Sequence, residues 1–203
     1  IIERSCSMLG KTHVAVGVAV TAITAKTLNL NPMDPMIIFP GIIGALAADI
    51  DIDGSTITER INELIKTIII FAVLYVFLNK YFPQTNFSKL LSFKIDNRTF
   101  VPGIILLFIF SIFSRITGHR GFSHSLLGVI AFTFSVYLIY KPFTIWFIAG
   151  YISHIIIDLL NYKGIPLFFP LKHNFQIGLC KAGGIVDKVI ALVGIFIFAV
   201  SLL

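Results

Sequence analysis

The chain has 203 residues, of which 57% are hydrophobic and 13% charged, with 20 phenylalanines and a mean hydropathy of +0.93. Ordinary soluble domains carry roughly 25% charged residues, so this balance excludes one and points to an integral membrane protein. The formal net charge of +6 suits anionic lipid headgroups, and no nucleic-acid-binding motif accompanies it.

Residues 1–7 (IIERSCS) are polar and patternless, whereas Met8 opens a stretch, MLGKTH, that reads as a natural start. The expectation is therefore a dispensable leader over 1–7 and a single integral membrane domain over 8–203. No cleavable signal peptide is evident. Apolar runs follow at Val14–Leu28, Met36–Ala48, Leu64–Phe82, Val101–Ile116, Leu126–Tyr140, Phe143–Leu160 and Ile185–Leu203. A spanning helix takes about 20 residues, so the chain is predicted to be an all-α, polytopic helical bundle of about six or seven hydrophobic segments. Met36–Ala48 is short and holds Pro40 and Gly41, which predicts a tilted, kinked or partly inserted segment. Gly164–Leu171 (GIPLFFPL) carries two prolines and fits a re-entrant or interfacial segment better than a helix interior. Cys6 and Cys180 follow no zinc-ribbon or C-x-x-C spacing.

Letting each run cross once places the polar motifs. His13 opens the first helix on one side, and the second run returns there to end at Asp49, Asp51 and Asp53. The fourth run delivers His119 and His124 to the same side, and the sixth ends there with His154 and Asp158. Four motifs far apart in sequence thus converge on one membrane face, predicting a single polar site near the surface. Ten of the 16 Lys and Arg residues fall on that side, which favours its being cytoplasmic.

Each motif has a chemical and a plainer reading. His154 and Asp158 are four apart and share a helix face, where they can hold one ion or merely staple helices through a His–Asp hydrogen bond. A charge at mid-membrane costs about 2.5–3.5 kcal/mol on insertion scales, so Asp158 in an apolar run favours function. Asp49, Asp51 and Asp53 alternate like the opening of a calcium loop, but the twelfth position is Arg60 where a bidentate Glu is needed. They read as metal ligands, or as an acidic turn or cap. In Gly118–Ser125 (GHRGFSHS), His119 and His124 flank Arg120; imidazole suits zinc, manganese or iron, and the guanidinium fork suits phosphate or carboxylate. The plainer reading is a basic loop touching headgroups. His13 alone is an ordinary cap or surface residue, and only its side of the membrane promotes it. His173 reads as interfacial.

These residues carry a resemblance. Thr12-His13, Ala48–Ser55, His119–Ser125 and Ser153-His154 to Asp158, followed by Asn161 and Gly164, resemble the pattern of the YdjM-like family, classed as membrane-bound, metal-dependent hydrolases. The resemblance spans Met8 to about Asp187. Its specific parts are the His-Arg-Gly-x-Thr-His-Ser loop, here with Ser123 in place of Thr, and the Ser-His-x-x-x-Asp helix. Ile52 stands where the family turn often has His, and Asp187 where Glu is expected.

The resemblance implies a helical membrane protein with a His/Asp metal site, a hydrolase of a prokaryotic inner (cytoplasmic) membrane. The residue chemistry fits one or two divalent ions, zinc foremost with manganese or iron as alternatives, held by His13, Asp49, Asp51, His119, His124, His154 and Asp158. Such a site lowers the pKa of bound water towards about 7 and polarises a phosphoryl or acyl oxygen. Asp51 is the candidate general base and Arg120 the candidate anchor of an anionic substrate group. A site at helix ends would receive a lipid-like phosphoester or other ester. The alternatives are a cation or proton transporter using the same cluster, which would need midplane ligands on matching halves, and a structural protein that binds no metal.

Overall fold

The computed structural model describes residues 10–51, 96–118, 120–171, 173–179 and 184–202, with the side chains of 50, 51 and 97 outside that set. Six α-helices lie among the described residues: α1 (Gly10–Thr27), α2 (Pro35–Ala47), α3 (Asn97–Thr117), α4 (Leu126–Ile139), α5 (Thr144–Leu159) and α6 (Ile185–Ser201). They coincide to within a few residues with six of the apolar runs; Leu64–Phe82 and the 1–7 leader lie outside the described residues. Arg98–Thr117 and Lys141–Leu159 are long and apolar enough to cross a membrane, while α2 and α4 are shorter apolar helices.

Helix starts follow local chemistry. Asp34 caps α2, its Oδ1 accepting from the Met36 amide at 2.9 Å, with Pro35 in the first turn, where a missing N–H costs nothing. Asp96 caps α3 through the Arg98 amide, and Ser125 Oγ caps α4 by accepting from Gly128 N at 3.1 Å. Gly118 ends α3 with φ +80°, a left-handed conformation that glycine adopts without strain.

Polarity is inverted relative to a soluble protein. Thr12, His13, Thr21, Ser123, His124, Ser135, Ser153, His154 and Asp158 are buried, whereas Phe108 of α3 and Phe196 of α6 are 63% and 68% exposed. Apolar faces this large fit a hydrocarbon solvent. Several buried hydroxyls bond within their own helices, as in Thr21 Oγ1 to Gly17 O at 2.7 Å and Ser135 Oγ to Ala131 O at 3.0 Å.

The core is set by close helix crossings. The stripe His13, Gly17, Thr21 and Ala25 of α1, spaced by four, runs antiparallel to α2: Ala25 joins Ile37, Thr21 meets Gly41, and Gly17 meets Ala45. The α2 and α5 helices run side by side in the same direction, Gly44 lying on the Phe147 carbonyl and Gly150 on the Gly41 carbonyl. Small residues let backbones approach this way where lipid supplies no hydrophobic drive between helices. The loop after α5 is not helical; it doubles back through an antiparallel bridge between Ile165 and Phe175, with Gly164, Ile165 and Pro166 buried. The starts of α1 and α4 and the ends of α2, α3 and α5 therefore share one end of the bundle.

A Cβ added at Gly150 would collide with backbone, whereas one at Gly10 meets nothing within 4 Å. Gly150→Ala is expected to destabilise the protein by about 1–3 kcal/mol through overpacking, with Gly10→Ala neutral. The thermal midpoints of the detergent-solubilised variants check this.

Candidate metal centre

Five ligand-type side chains from four segments meet at that end. His13 comes from the first turn of α1, Asp49 from the 3-10 turn Ala48–Asp51 that continues α2, His124 from the 3-10 turn Phe122–His124, and His154 and Asp158 from the last turns of α5. His13, His124, His154 and Asp158 are at most 2% exposed. The Nε2 atoms of the three imidazoles all face carboxylates. His124 lies 3.2 Å from Asp158 Oδ2 and 3.6 Å from Asp49 Oδ1; His154 lies 3.4 and 3.8 Å from the same atoms. His13 Nε2 is 3.8 Å from Asp158 Oδ1. Ligands about 2.0–2.2 Å from a tetrahedral ion are roughly 3.3–3.5 Å apart, so these separations suit a shared ion.

The ring orientations are fixed from behind. His154 Nδ1 donates to the Ala45 carbonyl at 2.6 Å, which leaves its Nε2 lone pair directed at the carboxylates. An imidazole that donates its second N–H to a carbonyl is the usual arrangement of a metal-bound histidine. His13 stacks on His154 with ring centroids 3.8 Å apart at 16°. His124 Nδ1 contacts Ser123 Oγ at 3.1 Å, and Tyr151 Oη donates to the Ser123 carbonyl at 2.7 Å, pinning the 3-10 turn to α5. His154 Nε2 and Asp158 Oδ1 are buried with no hydrogen-bond partner. Buried polar atoms in a native protein are normally satisfied, so a mixed imidazole and carboxylate set with such atoms at its centre fits a divalent cation.

The donors form two triads, His13/Asp49/His154 and His124/His154/Asp158, with each triad's ligand atoms within 4.8 Å of one another. Both use His154. Asp49 is the more open carboxylate, its side chain 14% exposed against 3% for Asp158. Burial alone would raise the Asp49 pKa, but the His124 imidazole 3.6 Å away and the neighbouring His154 and His13 rings outweigh it and hold the group below its ordinary value.

Arg120 borders the cluster in a left-handed conformation, φ 63°, which a non-glycine residue adopts only when its surroundings impose it. Its Nη1 donates to the Gly164 carbonyl at 3.1 Å, and Nη2 stands 3.6 Å from Asp158 Oδ1. One end of the guanidinium is thus anchored and the other faces the site.

Of the sequence-based candidates, the structure unites His13, Asp49, His124, His154, Asp158 and Arg120. His119 and Asp53 lie outside the described residues, as does the Asp51 side chain. His173 is exposed and packs edge-on against Phe175, as its polar surroundings suggest. Asp187 is fully buried in the first turn of α6 but belongs to neither triad. Three supporting groups went unnoticed in the sequence: the carbonyls of Ala45 and Gly164, which no side-chain pattern reveals, and Tyr151. The last was detectable as a phenol one helical turn before His154.

Comparison with known proteins gives a consistent picture. The family model described as YdjM inner membrane protein matches residues 8–202. The inner membrane protein YdjM of Escherichia coli (strain K12) is 41% identical over 73 residues, covering 32% of this chain and 36% of that protein; its Shigella flexneri counterpart gives the same figures. The aligned part thus spans about a third of the length of these curated relatives. The uncharacterized protein YvsG of Bacillus subtilis (strain 168) is 24% identical over 190 residues, 93% of this chain and 89% of that one. No solved structure matches.

Tyr151→Phe would leave the buried Ser123 carbonyl without that donor, at a cost of about 1–3 kcal/mol. Faster amide hydrogen exchange over residues 122–125 and a lower thermal midpoint are the expected results.

Proposed function

The chain belongs to the YdjM inner membrane protein family, and from that premise we propose that it is a membrane-embedded, metal-dependent hydrolase of a lipid-like ester, with a phosphoester preferred. The observation that carries this reading is the convergence of three imidazole Nε2 atoms on two carboxylates, with His154 held in the metal-binding orientation by the Ala45 carbonyl. His13, Asp49, His124, His154 and Asp158 would hold the ion. Because both triads share the one available nitrogen of His154, these donors serve one ion; a second would have to draw on Asp51 or His119. A divalent ion, zinc foremost, supplies Lewis acidity, lowering the pKa of water towards about 7 and polarising a phosphoryl or acyl oxygen.

The remaining steps fall to the chain itself. Arg120 Nη2 binds the anionic group of the substrate while Nη1 stays on Gly164. Water adds to phosphorus or to the acyl carbon, the ester bond to the leaving oxygen breaks, and a carboxylate relays the proton from water to that oxygen. Asp51 is the candidate for this relay, and Asp49, ionised and partly open, is its described neighbour. The excess of Lys and Arg on this side favours a cytoplasmic opening. Cation or proton transport is the weaker reading, since the donors gather at one end of the bundle rather than at its midplane.

Elemental analysis of the detergent-purified protein beside His154→Ala tests the proposal. About one equivalent of zinc, manganese or iron is expected in the wild type and none in the variant, with both folded by circular dichroism. A wild type that stays metal-free after reconstitution with those ions would overturn it.

A further inference from the structure

A cavity of about 510 Å³ opens between α2, α3, α4 and α5. Its lining residues, among them Ile43, Ala47, Leu107, Phe132, Ile139 and Phe147, are all apolar. A cavity of that size is ample for a small-molecule ligand, and its walls exclude a polar one. We propose that this groove receives the hydrocarbon tail of the amphiphile whose headgroup is processed at the metal centre; this inference rests on the hydrolase reading above.

Three observations carry it. First, the groove begins where the site ends. Ala47 on its wall lies two residues before Asp49, while Phe147, two helical turns before His154 on α5, shows how far it extends from the site. Second, it runs lengthwise through the bundle. Along α4 its wall extends from Phe132 to Ile139, about 10 Å at 1.5 Å per residue; Phe143 and Pro40 line it farther from the ligands. A tail lying in it would have its polar end at the Ala47 end, two residues from Asp49. Third, the rim residues Ile43 and Leu46 are each 41% exposed, so the groove opens sideways to lipid and a tail can enter without leaving the hydrocarbon phase.

Lipid tails are as apolar as the groove's own walls, so the groove alone gives little net attraction to a lipid already in a bilayer. Retention must come from the headgroup. Arg120, anchored by one nitrogen with the other facing the site, supplies it for an anionic head. An anionic lipid should therefore be held in the groove, and an uncharged one of equal tail length should not.

The test uses the full chain in phosphatidylcholine vesicles containing a trace of phosphatidylglycerol with a photoactivatable diazirine on one acyl chain. Cross-links are mapped by mass spectrometry, and metal content is measured on the same sample. The lipid-exposed residues Leu192 and Phe196 of α6 report chance contact. The expected result is labelling of Leu107, Phe132, Ile139 or Phe147 above that of α6. Unlabelled phosphatidylglycerol should compete it away, and diacylglycerol should not. A diazirine near the headgroup should label the Ala47 end, and one at the chain terminus the Ile139 end. Ile43→Trp, a substitution at a partly exposed rim position, should abolish groove labelling while leaving α6 labelling and metal content unchanged. Groove labelling no stronger than that of α6, insensitive to competitor and to Ile43→Trp, would overturn the tail site. Absence of metal would overturn the hydrolase reading, whatever the labelling.

Discussion

Everything at the candidate metal centre depends on how closely α2 approaches α5. Gly44 and Gly150 have no Cβ to hold the backbones apart, and only at that separation does the Ala45 carbonyl reach His154 Nδ1. That hydrogen bond fixes which nitrogen of the ring faces the carboxylates. It also brings the end of α2, and with it Asp49, against the end of α5. The same stripe logic draws in α1, where Gly17 seats on Ala45 and so delivers His13 to stack on His154. In a bilayer, where apolar burial does not distinguish helix from lipid, such contacts are what select one arrangement over others.

The polar side chains are costly in isolation and tolerable together. Asp158 in an apolar helix is opposed by its own desolvation; the Arg120 guanidinium 3.6 Å away offsets part of this, and a cation held by the cluster would offset more. Buried ionic groups of this kind are weak sources of stability. Their presence is better explained by chemistry than by folding.

Much of this was legible in the sequence because hydropathy and parity are strong signals in a membrane protein. The apolar runs located the six described helices, and counting crossings placed His13, Asp49, His124, His154 and Asp158 at one end. The four-residue spacing of His154 and Asp158 already required a common face. What the sequence did not disclose lies in backbone geometry. The roles of the Ala45 and Gly164 carbonyls depend on interhelical approach, and the left-handed turn at Arg120 depends on its neighbours rather than on its residue type. The division of labour among five donors, with His154 common to both triads, is a matter of distances that no spacing rule supplies. The apolar groove was equally hidden, since a wall facing a cavity and a wall facing lipid have the same composition.

The order of the ligands along the chain bears on how the protein is made. His13 and Asp49 precede His124 along the chain, and His154 and Asp158 follow together on one later helix. Asp158, the carboxylate borne within an apolar helix, is synthesised only after its imidazole neighbours His13 and His124. The cluster is therefore complete only once α5 has been made, with its partners His13, Asp49 and His124 already synthesised.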